Sequence, residues 1–377
     1  MEAYFDNSAT TKPYEVVIEA VVDAMRNNYG NTSSAHKLGM KAEQELSESR
    51  EKIAKTLSCS KDEIVFTSGG TEANNFSVKG FLREGAHIIT DEIEHPSVLK
   101  TFQQLEKEGY RVTYLKVDEK GFIDLNELKE SICNDTVLLS IMHVNNEIGT
   151  IQNIEEIGGI LKSKSKKAKF HVDAVQSYGK LNIDVKKANI DMLSVSGHKI
   201  HGPKGVGFVY VRKGLIPKSF MIGGSHERKL RAGTINLPGI VGLAVASEKI
   251  CQDISNNYKK ISELQKYFID KLSSFEHIKI NSSIGEEFSP YIVSVSFIGV
   301  RGEVLIHLLE EENIYVSTGS ACSSKNKAVS HVLESIGLNS KEIEGTIRFS
   351  FNSENTKDEV DYVMEILKKS LEFLRRV

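Results

Sequence analysis

From about residue 61 onward, short β-rich runs alternate with stretches of helical periodicity, and this constrains the fold more than any other feature. The runs "EIVFT", "HIIT", "RVTYLKV", "TVLLSIMHV", "KFHVDAV", "DMLSVS" and "GVGFVYV" read as strands. Between several of them lie helical patterns, at Glu72 to Leu82, Pro96 to Glu108 and Leu125 to Cys133. Strand–helix–strand alternation predicts a mostly parallel sheet covered on both faces. Ligands of such sheets bind beyond the carboxyl ends of the strands, so the polar residues just after those runs are the ones to search.

After about residue 252 the texture changes. A helical pattern from Asn256 to Phe275 leads into "HIKIN" and "YIVSVSF", a helix from Gly302 to Glu312, and then "IYVS". A helix from Ala328 to Ile336, the strand "TIRFSF" and a last helix follow. That helix opens with a capping box, Thr356 with Glu359, and repeats Val360, Val363, Met364, Leu367, Leu371 and Leu374 at helical spacing. The 377 residues therefore divide into a large α/β domain, 16–252, and a smaller α/β unit made of 253–377 with 1–15 returning to it.

Charge and cysteine usage exclude several function classes. A net charge of −3 gives no electrostatic reason to bind nucleic acid or an anionic membrane. The basic run Lys162, Lys164, Lys166, Lys167 and Lys169 follows an apolar helical pattern, where cations suit a helix C-terminus. The start "MEAYFDNSATT" has no secretory pattern, and the most apolar stretch, "LPGIVGLAVA", is too short to span a bilayer. Cysteines at 59, 133, 251 and 322 lack the paired spacing of metal or redox sites. They suit a reducing compartment, and the expected location is the cytoplasm.

Three signals at strand ends carry chemistry. In "FTSGGTEANN" a strand and a glycine turn lead to Gly70, Thr71 and Glu72 opening a helix, whose free N–H groups and dipole favour an anion. By itself this is equally an ordinary strand-to-helix turn. Asp173 ends the run "KFHVD", where a buried carboxylate needs a cation or a protonated nitrogen base. Lys199, in "SGHKIHGPKG", is a candidate amine for a carbonyl, although most loop lysines are simply solvated. Together they describe pyridoxal 5'-phosphate, which needs a lysine for its aldehyde, a carboxylate for its ring nitrogen and a cradle for its phosphate. The order of these parts is that of the large domain of fold-type I pyridoxal-phosphate enzymes. The flat ring of His95, in "EIEHPSV", can stack on such a cofactor.

The stretches "YFDNSATT", "GNTSSAHKLG", "FTSGGTEANN", "EHPSV", "VNNEIGT", "HVDAVQSYGK", "SGHKIHGPKG", "RAGTIN", "STGSACSS" and "TIRFSF" span the chain nearly end to end. In this order they resemble the cysteine desulfurases, the class that supplies sulfur for iron–sulfur clusters and related products. Thr32 departs from the pattern, standing where many relatives have proline.

The resemblance implies that Lys199 carries the cofactor aldehyde, His95 stacks on the ring, Asp173 pairs with the ring nitrogen and Gln176 bonds the ring oxygen. It places Thr71, Ser196 and His198 on the phosphate, with Gly70 and Glu72 in the same turn. Thr234 of "RAGT" reaches the phosphate of a neighbouring subunit, which implies a homodimer. Asn146 and Arg348 take the substrate, L-cysteine, with the arginine on its carboxylate; strand alternation independently sets Arg348 on the polar face of "TIRFSF". The nucleophile is Cys322, set among small side chains in "YVSTGSACSS", and its persulfide passes sulfur to an acceptor protein for iron–sulfur assembly or tRNA and cofactor thiolation. Rival readings are a selenocysteine lyase, an aminotransferase with no use for Cys322, and a non-catalytic pyridoxal-phosphate-binding scaffold. The scaffold reading predicts loss of Lys199, Arg348 or Cys322, and all three are present.

Overall fold

The structure is a computed structural model and describes residues 1–219, 221–319 and 329–376. A short strand β1 (Ala3–Tyr4) and helices α1 (Glu15–Asn27) and α2 (Lys37–Thr56) precede the central sheet. Its strands are β2 (Ile64–Thr67), β3 (His87–Asp91), β4 (Arg111–Leu115), β5 (Thr136–Met142), β6 (Lys169–Asp173), β7 (Met192–Ser196) and β8 (Gly207–Val211). Helices α3 (Gly70–Lys79), α4 (Pro96–Lys107), α5 (Leu125–Ser131), α6 (Ile154–Lys164) and α7 (Leu237–Cys251) alternate with or follow them.

The seven strands lie in the order β2-β8-β7-β6-β5-β3-β4. All pairs are parallel except those of β8, which runs antiparallel to both β7 and β2. The link from Ser196 to Gly207 is too short for the helical crossover a parallel pair requires. Strands β3, β7 and β8 are buried along their whole length, as apolar runs covered on two faces must be. In β6 only Lys169, at the outer end, escapes burial.

A second core lies around α8 (Ile254–Leu272), β9 (Ile278–Ile280), β10 (Ile292–Phe297), α9 (Gly302–Glu311) and β11 (Ile314–Tyr315). The short helices α10 (His331–Ser335) and α11 (Ser340–Glu344), strand β12 (Thr346–Ser350) and α12 (Lys357–Leu374) complete the chain. Strand β10 is central and antiparallel to β9 and β12. The capping box of α12 forms as read: Thr356 N donates to Glu359 Oε2 (2.6 Å), and Glu359 N donates to Thr356 Oγ1 (3.2 Å). Ile347, Phe349 and Phe351 fill this core, while Arg348 points the other way.

The N-terminus joins the second core before it reaches the sheet. Strand β1 pairs in parallel with β11, and the Phe5 ring packs 5.1 Å from Phe351. Asn7 Nδ2 then donates to Ser350 O (2.9 Å), and Thr11 N donates to His198 O (2.9 Å). Residues 6–11 therefore form a strap from β12 to the end of β7, across the mouth of the sheet. Among the described residues, no helix is long and apolar enough to cross a membrane.

Candidate active site

One cavity opens at the carboxyl ends of β2, β5, β6 and β7. It gathers Gly70, Thr71, His95, Asn146, Asp173, Gln176, Ser196, His198, Lys199 and Arg348 from six separate stretches of sequence. Topology explains the convergence: parallel strands present their carboxyl ends on one edge of the sheet, so each following turn delivers its side chains to the same place.

The anion cradle is local. Gly69 takes φ +149°, a conformation L side chains rarely adopt, and turns the chain from β2 into α3. First-turn N–H groups have no partner within their own helix and so face the cavity beside Ser196, the last residue of β7. A Cβ on Gly70 would meet Val175 Cγ2 at 3.0 Å, so the cradle sits as close to the β6 turn as its backbone permits. Glu72 is not brought into the cavity. Its carboxylate accepts from Arg231 Nε (2.8 Å) and Ser68 N (2.7 Å), and these bonds hold it below the usual carboxylate range despite burial.

Asp173 ends β6 and is 3% exposed. Its Oδ1 accepts from Val175 N (2.9 Å) and its Oδ2 from Asn74 Nδ2 (2.7 Å). Asn74 also donates to Ser97 Oγ (2.8 Å), which leaves the Ser97 proton for His95 Nδ1, 2.8 Å away. The same Nδ1 accepts from Ser97 N (3.1 Å) and caps α4. An imidazole that accepts at Nδ1 carries its proton on Nε2. Burial pushes the His95 pKa down, against Asp173 and with Lys199 and His331, so the ring is neutral and its Nε2 is a donor. Asn74 lies three residues after Thr71 on α3, a spacing that puts both on one helix face.

Lys199 Nζ donates to the carbonyls of Ser8 and Ala9, the latter at 2.8 Å. His198 Nδ1 lies 3.2 Å from Thr10 Oγ1, and burial lowers its pKa to about 4, with Lys199 and Lys204 adding. Gln176 Nε2 donates to Ser8 O (2.9 Å). The strap therefore supplies backbone acceptors to both residues.

Arg348 is 2% exposed, its Nη2 paired with Asp6 Oδ1 (2.9 Å) and its Nη1 donating to Asn146 O (2.8 Å). Burial raises the Asp6 pKa and Arg348 opposes it. Asp6 is the strap residue that sequence reading passed over; its chain separation from Arg348 left no local signal.

Thr234 is exposed and does not line this cavity; with Met25 and Tyr29 it lines a separate one. Cys322 lies outside the described residues. Flanking it, Ser330 Oγ donates to Glu147 Oε2 (2.6 Å) and His331 Nε2 meets Glu94 O (2.9 Å).

The donor set fits pyridoxal phosphate. A helix-start cradle, a buried carboxylate and a lysine face one another across a single cavity. Two of its lining atoms, Asn74 Oδ1 and Arg348 Nε, are buried with no hydrogen-bond partner among the described residues, as expected of groups shaped for a polar ligand.

Comparison with known proteins agrees. Residues 3–363 match the family described as Aminotransferase class-V. The chain is 42% identical to a cysteine desulfurase IscS of Clostridium botulinum, covering 100% of this chain and 96% of that one. It is 43% identical to a cysteine desulfurase IscS of Methanosarcina thermophila, covering 99% and 93%. A solved NifS-like protein superposes with a TM-score of 0.92 at 40% identity, covering 100% of both chains.

Proposed function

The chain belongs to the class-V aminotransferase family, and from that premise we propose that it is a pyridoxal-phosphate-dependent cysteine desulfurase. It converts L-cysteine to L-alanine and leaves the sulfur on Cys322 as a persulfide. The observation that carries this reading is the meeting of Lys199, Asp173 and Arg348 in one cavity.

When bound, pyridoxal phosphate supplies an electron sink for charge developing at the substrate's Cα. Arg348 holds the substrate carboxylate through its guanidinium fork, beside Asn146. Asp173, held by Asn74 and Val175, keeps a proton on the ring nitrogen. Gly70, Thr71, Ser196 and His198 hold the phosphate, and His95 forms the flat wall against the ring. Lys199 Nζ takes the Cα proton. The Cys322 thiolate attacks the substrate sulfur, the carbon–sulfur bond breaks with its electron pair left on Cβ, and protonation at Cβ and again at Cα gives alanine.

The same reading assigns 16–252 to the cofactor-binding domain, and 1–15 with 253–377 to the domain that carries Cys322. Separate cores for the sheet and for the C-terminal elements support it. Sulfur passes on to an acceptor protein, an iron–sulfur scaffold or a tRNA-thiolation protein. We place the enzyme in the cytoplasm, where Cys59, Cys133 and Cys251 stay free thiols. It works as a homodimer in which Thr234 reaches the neighbouring subunit's phosphate. The exposed apolar residues beside Thr234, Met25 at 62% and Tyr29 at 71%, are the kind of surface a partner covers. A monomeric mass in solution would refute that arrangement.

The test of the reaction is the purified holoenzyme with L-cysteine and a reductant. Alanine and sulfide are expected in equal amounts, and Cys322→Ser is expected to keep the visible band but release no sulfide. Sulfide release at the wild-type rate from that variant would exclude the mechanism.

A further inference from the structure

Lys180 is a buried lysine that the reaction does not use. It follows Gly179, whose φ of +74° and Cβ position 2.5 Å from Ile250 Cγ2 favour glycine, and it lies behind the cavity lining, reaching it through Gln176. The residue is 5% exposed. Its Nζ donates to Gln176 Oε1 at 3.3 Å and lies 5.4 Å from the centre of the Tyr291 ring. The charged groups acting on it are Lys199 and Arg348, both cations, and it acts in turn on His201. Burial, reinforced by those cations, pushes its pKa down to about 7. A buried amine among cations costs stability, so what it holds in place is worth identifying.

An amide side chain can sit in two orientations that differ only in which end donates. Lys180 can only donate while charged, and Ser8 O can only accept. Both partners therefore force one orientation on Gln176: Oε1 toward Lys180, Nε2 toward Ser8 O and the cavity. A neutral amine keeps two N–H donors beside its lone pair, so Lys180 can still donate to Oε1 after losing its proton while Ser8 O holds Nε2.

We propose that Lys180 is a positioning residue that locks the Gln176 amide so that its NH2 end, and not its oxygen, faces the ring oxygen of the bound cofactor. This rests on the cofactor reading above. A donor at that oxygen favours the less protonated form of the bound chromophore. Without Lys180 only Ser8 O orients the amide, which then turns over in a fraction of molecules and presents an acceptor instead.

The experiment is a pH titration of the visible band of the reconstituted holoenzyme. Lys180→Met is expected to raise the midpoint by about one pH unit, the size expected for loss of one hydrogen bond to a charged group. Lys180→Arg, which keeps the donors, is expected to restore it. Gln176→Leu, which removes the donor from every molecule, is expected to shift the midpoint at least as far, and Lys180→Met in the Gln176→Leu background to add nothing, because both act through one bond. Should Lys180→Met fail to fold, Lys180→Gln, whose amide offers an acceptor as well as a donor to Gln176, is expected to raise the midpoint by part of the Lys180→Met shift, and a wild-type midpoint in it overturns the lock. A coloured Lys180→Met protein with the wild-type midpoint overturns the lock alone. So does a full shift in the Gln176→Leu background, which would make the effect one of charge. A wild-type protein that takes up no colour with pyridoxal phosphate overturns the cofactor reading and the lock together.

Discussion

The cavity has two walls built in different ways. On the sheet side, each functional group sits within a residue or two of a strand or helix end: Ser196 ends β7, Asp173 ends β6, Gly70 opens α3 and His95 caps α4. On the opposite side, Arg348 of β12 is held by Asp6, Asn7 and Ser8 bond to Ser350, and the strap then crosses to Lys199. The first wall is fixed by local rules of termini and caps. The second exists only once residues more than three hundred positions apart have met.

Their acids differ in the same way. Asp6 is compensated by a cation at 2.9 Å. Asp91 and Glu94, just before His95, are fully buried, and the charged groups acting on them are acidic, Glu92 on Asp91 and Asp91 with Asp173 on Glu94; burial pushes Asp91 up to about 7 and Glu94 well above its usual value. One wall thus pairs its acid with a cation, and the other is backed by carboxyls whose protonated form burial favours. The contrast teaches that the sheet wall is set by strand ends, while the Arg348 wall, which we propose binds the substrate, depends on the meeting of the chain ends.

Substitutions on the two walls should then give opposite kinetic signatures. Asp173→Ala is expected to lower kcat by about a thousandfold with little change in KM, because it removes stabilisation of the developing charge. Arg348→Ala is expected to raise KM by about a hundredfold, the loss of a charge-assisted fork on the carboxylate. Steady-state kinetics with L-cysteine decides; if both variants act only on kcat, the division of labour is wrong.

A smaller effect concerns the protonated backing. Asp91 has its folded-state pKa raised, so the folded protein binds more protons than the unfolded chain between about pH 4 and 7. Its stabilising contribution is complete below the unfolded value and is lost as pH rises through about 7. Thermal melts of the wild type are expected to fall over that interval, and Asp91→Asn to flatten the fall and melt higher at pH 8. Identical slopes for the two proteins would mean that Asp91 is ionised in the folded state.

The sequence by itself determined the sheet wall. Periodicity located β2 to β8 and the helices α3, α4 and α5 to within a few residues, and the strand ends then named Thr71, Asp173 and Lys199 as neighbours, since parallel strands share one edge. The capping box of α12 and the polar face of β12 were equally legible, because caps and alternation depend only on adjacent residues. Tertiary structure alone decided the rest. Glu72 reads as part of the anion cradle, yet Arg231 draws its carboxylate away. Asp6 and Lys180 carry no local pattern, and their meaning comes from Arg348 and Gln176, which reach them only in the folded chain. Backbone preference is local and can be read along a line, whereas the partner of a buried polar group is whichever residue the finished fold brings within three ångströms or so.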